Sequence, residues 1–150
     1  MIQTVLEYLR DYYFMLCYPI ALILSIKKYH LYFNSILKYL PILIAYTLLS
    51  ELLGFFIVEF DSIQIVVIEA YSYANNLIFN IYDIIFFTYF YYIFWKTLRL
   101  TLHKNMVKIG LIGYMIASVI NPFFQDFFIF QQFYASSFGS LLLIICTVLY

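Results

Sequence analysis

Charge is scarce in this chain. Charged residues make up 11% of the 150 residues and hydrophobic ones 66%, whereas a soluble domain carries about 25% charged and roughly half apolar residues. Water is therefore not its main solvent. Alternation of apolar and polar residues over segments of about ten is nowhere sustained, which removes a transmembrane barrel. Formal charge is zero and no basic stripe marks a soluble face, so nucleic acid is excluded as a partner. Cysteine is rare as well: Cys17 and Cys146 lie inside apolar runs without CxxC or metal-ligand spacing, and read as packing residues rather than functional thiols. The N-terminus lacks the cationic start and small-residue cleavage site of a secretory signal, since Glu7, Arg10 and Asp11 precede the first apolar run. The first helix is expected to stay in the mature protein.

What is present is a set of long apolar runs bounded by charge, at 14–26, 39–50, 52–58 and 84–95. Joined across single polar residues, they reach the roughly 20 residues that span a hydrocarbon core as a helix. In lipid every backbone polar group must be bonded within its segment or in a closed barrel. Helices follow. The expected fold is all-α, a polytopic transmembrane helical bundle of about five spans at 11–26, 39–58, 77–95, 107–124 and 136–150. Val5, Leu6 and Leu9 continue helical spacing and can lengthen the first span. Short linkers favour antiparallel neighbours, and with no repeat or low-complexity tract, 1–150 reads as a single transmembrane helical domain. The stretches 63–71 and 127–134 are apolar but too short to cross, which suits surface-lying or re-entrant pieces.

Orientation comes from the basic residues. Lys27, Lys28 and Lys38 flank the first linker and Lys96, Arg99, Lys104 and Lys108 the third, leaving only Arg10 elsewhere. The second linker holds Glu59, Asp61 and Glu69 without Lys or Arg, and the fourth holds only Asp126. Lys and Arg mark the cytoplasmic side, so the N-terminus is expected outside and linkers one and three inside. Trp95 beside Lys96 and Tyr39 beside Lys38 match aromatic and cationic anchors at the interface. Seventeen Tyr and seventeen Phe exceed what two belts need, so many must pack between helices. The last span is only about 15 residues if it begins at Ser136, and no charge flanks it. Either the natural protein continues or this helix ends at the membrane surface.

The stretches YPIALILSIKKY, LKYLPILIAYTLLSELLG, NLIFNIYDIIFFTYFYYIFWK and INPFFQDF, in this order and spacing, resemble uncharacterised multi-helix membrane proteins common in Bacteroidota. The resemblance covers nearly the whole chain. It implies an inner-membrane location and a seven-helix parent, and carries no activity, cofactor or catalytic residue.

Two acids lie inside spans, Glu51 in the second and Asp83 in the third. At about 1.5 Å per residue each sits roughly 10 Å from the outer end of its span. Their depths match. No Lys, Arg or His stands at that depth, so an ionised form needs water, a cation or several donors, and desolvation otherwise favours the neutral acid. Asn76, Asn80 and Asp83 recur at i, i+4, i+7 on one helical face, while Thr47, Glu51 and Gly54 share another. The ordinary reading is a protonated pair bonded to Asn80, Thr47 or tyrosine hydroxyls; the sharper one is a proton relay or cation site. Gly110, Gly113, Ala117 and Asn121 form a small-residue face that favours close helix packing over ligand binding.

His30 and His103 fall in cytoplasmic linkers without an i+4 partner, so no metal site is expected and their ordinary role is contact with anionic headgroups. Pro19 and Pro41 produce a kink or occupy a first turn. No Ser or His sits with a base at helical spacing in a span, so no enzyme activity is expected and no cofactor is implied. Two functions compete. One is a small transport or permeation bundle, as a channel-like oligomer or a proton-coupled carrier subunit. The other is a non-transporting module that senses or docks a partner, in the bilayer either as a homo-oligomer or with another membrane protein. Water-filled continuity past the acids favours the first; a pocket closed toward the cytoplasm favours the second.

Overall fold

A computed structural model describes the backbone of residues 2–60, 63 and 75–150, and the side chains of 13, 16–60, 63 and 75–150. Asp61, Ser62, Glu69 and most of the stretch 63–71 lie outside the described residues, as do the side chains of Val5, Leu6, Glu7, Leu9, Arg10 and Asp11. Helix is the only regular structure among those described. In chain order these are α1 (Ile2–Lys27), α2 (Tyr29–Tyr32), a 3-10 turn (Ile36–Tyr39), α3 (Leu40–Glu59), α4 (Asn76–Thr97), α5 (Thr101–Ile120), a 3-10 turn (Asn121–Phe123) and α6 (Phe133–Leu149). Three stretches are long and apolar enough to cross a membrane: Ile36–Glu59, Asn76–Thr97 and Thr101–Phe123. Leu16–Lys27 and Phe133–Leu149 are shorter apolar helices.

Local chemistry explains the boundaries. Pro41 stands in the first turn of α3, where a missing N–H forfeits no helical bond. Pro19 lies inside α1. α5 gives way to a 3-10 turn at Asn121, with Pro122 next. Two expected boundaries are corrected. α5 begins at Thr101 rather than 107, so the third linker shrinks to 98–100 and His103, Lys104 and Lys108 ride on the helix. Charge at a membrane surface does not end a helix; the extended backbone of Leu98 (ψ 141°) and Leu100 (ψ 129°) does. α6 begins at Phe133 rather than 136 and has 17 residues, about 25 Å at the usual rise per residue.

The chain divides into two compact units, Met1–Leu53 and Gly54–Tyr150. In the first, the Tyr32 hydroxyl donates to the Ser25 carbonyl at 2.5 Å and lies equally near Ser25 Oγ, fastening α2 to the end of α1. Leu43, Thr47 and Ser50 are the buried positions of its part of α3, spaced four and three apart on one stripe.

The second unit is a three-helix assembly in which α4, α5 and α6 each pack on the other two. Its core is Phe87, Tyr91, Leu98, Val107, Tyr114 and Cys146. Glycine brings the helices together at one point above all. A β-carbon on Gly139 would lie 2.9 Å from Tyr114 Cε2 and 3.0 Å from Phe87 Cδ1. On the small-residue face of α5, Gly110 meets Leu142 and Gly113 meets Phe138, with Cβ positions 3.3 and 3.5 Å from the α6 side chains. The faces of α5 are inverted relative to a soluble helix. Tyr114, Ser118 and Asn121 are covered, while Ile109, Ile112, Ile116 and Val119 are 51–70% exposed. A hydrocarbon solvent favours that distribution.

Candidate functional site

The polar residues of α4 converge on the segment between α5 and α6. Asn80, 2% exposed, donates through Nδ2 to the Phe127 and Phe130 carbonyls at 2.8 and 3.0 Å, and its Oδ1 accepts the Gln132 amide at 2.9 Å. One turn earlier, Asn76 Nδ2 donates to the Ile129 carbonyl at 2.6 Å. The two asparagines thus satisfy backbone groups that have no helical partner. Asp126 supports the same segment from within, accepting the Phe128 and Ile129 amides. Of the apolar stretch 127–134, residues 127–132 are accordingly a non-helical piece folded onto α4, and the rest is the start of α6 at Phe133. Irregular backbone away from water is tolerated where protein groups bond it in this way. Asn121, Gln125 and Gln132 extend the network: Asn121 Nδ2 donates to both glutamine side-chain oxygens, and Gln132 Nε2 donates to the Gln125 carbonyl at 3.2 Å.

Asp83, one turn further along α4, has a different partner from the one its sequence suggests. Ser136 Oγ on α6 donates to Asp83 Oδ2 at 2.5 Å, and the Gln131 side chain is a second neighbour. Asn80, expected to hold this carboxyl, gives its amide to the 127–132 backbone instead. Ser136 was invisible as a partner because it lies 53 residues away, at a helix start whose rotation only packing sets. Beside the carboxyl, Asp83, Tyr114, Ser118 and Ser136 line a small space of about 10 Å³, room for about one water.

Beyond that space, toward the Lys96 end of α4, the interior is filled by rings. Tyr114 packs against Phe87 and Tyr91 with centroids 5.1 and 5.9 Å apart, and Tyr91 and Tyr114 are each 1% exposed. The Tyr91 hydroxyl donates to the Gly139 carbonyl at 2.7 Å, which meets the demand of a buried phenol for a partner. The site is closed on this side.

Glu51 belongs to the other unit, partly buried on α3 beside the buried Ser50. Thr47, expected as a partner for the acids, donates to the Leu43 carbonyl of its own helix at 2.9 Å. Among the described residues no cluster of three His, Cys, Asp or Glu can hold a metal. Cys17 is exposed and Cys146 buried, both as free thiols. Two cations stack on the neighbouring anchor rings, Lys96 Nζ 4.7 Å from the Trp95 ring and Lys38 Nζ 4.8 Å from that of Tyr39. No family model, curated protein or solved structure matches this chain.

Proposed function

We propose that this chain is a five-span inner-membrane protein with its N-terminus outside, and that α4–α6 form a non-transporting module that docks or senses a partner at its outer end. The observation carrying this reading is the ring layer of Phe87, Tyr91 and Tyr114. A permeation path along α4 would have to pass it. Behind that layer the polar groups are engaged in holding 127–132 in place, which suits a fixed recognition surface better than a moving gate. Phe123, Phe124, Phe128, Phe130 and Tyr134, all 50% or more exposed, surround this end and offer rigid aromatic contact to a membrane partner or a second copy of the chain. No catalytic step is assigned.

The transport reading keeps one specific support. Asp83 is an ionisable group at span depth beside a space the size of one water, and such groups mark proton pathways in many membrane proteins. Reconstituted vesicles separate the two. With an imposed pH gradient and an enclosed pH dye, the docking reading expects no proton leak above that of empty vesicles. A leak that disappears in Asp83→Asn or Glu51→Gln would establish transport instead.

A further inference from the structure

At the opposite end of the α4–α6 unit lies a second concavity, of about 470 Å³, lined by Thr97, Leu98, Arg99, Leu100, His103, Leu149 and Tyr150. We propose that it binds the phosphate of an anionic phospholipid headgroup, with Arg99 as the cationic contact and His103 as a ring N–H donor. The inference rests on the membrane placement above and adds a ligand to it.

The first argument is electrostatic. The N-terminus of a helix carries partial positive charge and favours anions. α5 has no acidic residue in its first turn and no side-chain cap from Leu100. Its first turn instead holds His103 and Lys104, with Arg99 just before it. The charges of Arg99 and Lys104 oppose the helix dipole here, and a bound anion adds a favourable interaction with both of them and with the first-turn amides. Arg99 and His103 form no salt bridge or side-chain hydrogen bond with any described residue, so their donors remain available. Thr97 contributes differently, since its hydroxyl already donates to the Ile93 carbonyl at 2.7 Å.

Depth and shape then select a lipid over a free anion. Trp95, stacked under Lys96, stands two residues from the cavity lining, at the level where indole rings meet headgroups. Leu98 is 4% exposed and pins the turn to the core. Leu98, Leu100 and Leu149 make the cavity walls apolar, and Leu100 and Leu102 are 60% and 69% exposed beside it. A lining that combines Arg99 and His103 with apolar side chains fits an amphiphile. Basic pockets between membrane helices on the cytoplasmic side hold phosphate headgroups by the same chemistry.

Trp95 is the single tryptophan, so its fluorescence reports directly on this end of the unit. The full chain in neutral detergent is titrated with brominated phosphatidylglycerol, brominated phosphatidylcholine, and inorganic phosphate in competition. Phosphatidylglycerol should quench Trp95 at concentrations about tenfold lower than phosphatidylcholine, Arg99→Gln and His103→Gln should each shift its curve by several-fold to about tenfold, and Lys28→Gln should leave it unchanged. Equal quenching by both lipids, or an unshifted curve in Arg99→Gln, would overturn the proposal. Displacement by millimolar phosphate would also overturn it, by making the ligand a free anion. Carbonate extraction on the same samples keeps the premise separate: a chain that stays in the membrane pellet but shows no lipid preference loses the pocket and not its place in the bilayer.

Discussion

Gly139 sits where Tyr114 leaves no room for a side chain: a β-carbon there would stand 2.9 Å from the Tyr114 ring, while the Gly139 carbonyl accepts the Tyr91 hydroxyl at 2.7 Å. One residue thus carries both the closest approach of α6 and the bond that seats it. Gly139→Ala should lower stability by about 1–3 kcal/mol through overpacking, and Tyr91→Phe by about 1 kcal/mol through the lost bond. Gly113→Ala, whose β-carbon would meet Phe138 at an ordinary 3.5 Å, should be nearly neutral. Thermal unfolding in detergent ranks the three, and equal melting of Gly139→Ala and Gly113→Ala would place the tight contact elsewhere.

Larger residues on the α5 face test its contact with α6. Gly113→Leu must displace Phe138 and should reduce the melting temperature clearly, whereas Met115→Leu alters a side chain that is 42% exposed and should have little effect. Tolerance of both would show that α5 and α6 separate freely.

The asparagines differ in what they hold. Asn80→Ala removes partners from two carbonyls and one amide, so a loss of about 3 kcal/mol is expected; Asn76→Ala frees one carbonyl and should cost about 1 kcal/mol. Hydrogen exchange reads this locally. The Gln132 amide should lose protection in Asn80→Ala and keep it in Asn76→Ala.

Asp83→Asn retains an oxygen for the Ser136 hydroxyl and should stay within about 1 kcal/mol of the parent, while Asp83→Leu leaves that hydroxyl unpaired and should lose about 1–3 kcal/mol. Ser136→Ala should resemble Asp83→Leu in sign. If Asp83→Asn unfolds the protein, the charge and not the bond is what the site requires.

Topology has its own test within the α4–α6 unit. In a chain with Cys17 and Cys146 replaced, cysteines at the exposed positions Asn105 and Asp126 should react with an impermeant reagent from opposite faces, Asp126→Cys from outside intact cells and Asn105→Cys only after opening them. Labelling of both from outside would remove the five-span arrangement.

The legible part of this molecule was what hydropathy and helical spacing control. The long apolar helices lie close to the expected spans, and the i, i+4, i+7 placement of Asn76, Asn80 and Asp83 does put all three toward the segment before α6 and its first turn. The start of α5 differs from the expected one because His103 and Lys104 look like linker in a scale that counts polarity, although a helix at a membrane surface carries them at no backbone cost. Gly139 escaped notice inside an apolar run, yet Ala135 four residues earlier makes a small-xxx-small pair that points to a packing face. The partners of Asn80 were beyond reach of any local pattern. They are backbone groups of an irregular segment, and only docking decides which carbonyls face α4.

The stitching of α4 to 127–132 also bears on how the chain is built. The acceptors for Asn76 and Asn80 lie 47–53 residues downstream, so a nascent chain synthesised only as far as α5 holds two side-chain amides in the bilayer without their final partners. A side-chain amide left without a partner away from water is unfavourable, and this applies above all to Asn80, which is 2% exposed in the finished fold. Arrival of the next stretch of chain relieves both amides at once. Biogenesis of this unit is therefore coupled across its length: α4 is committed to its place not when it leaves the ribosome but when α6 and the segment before it have followed.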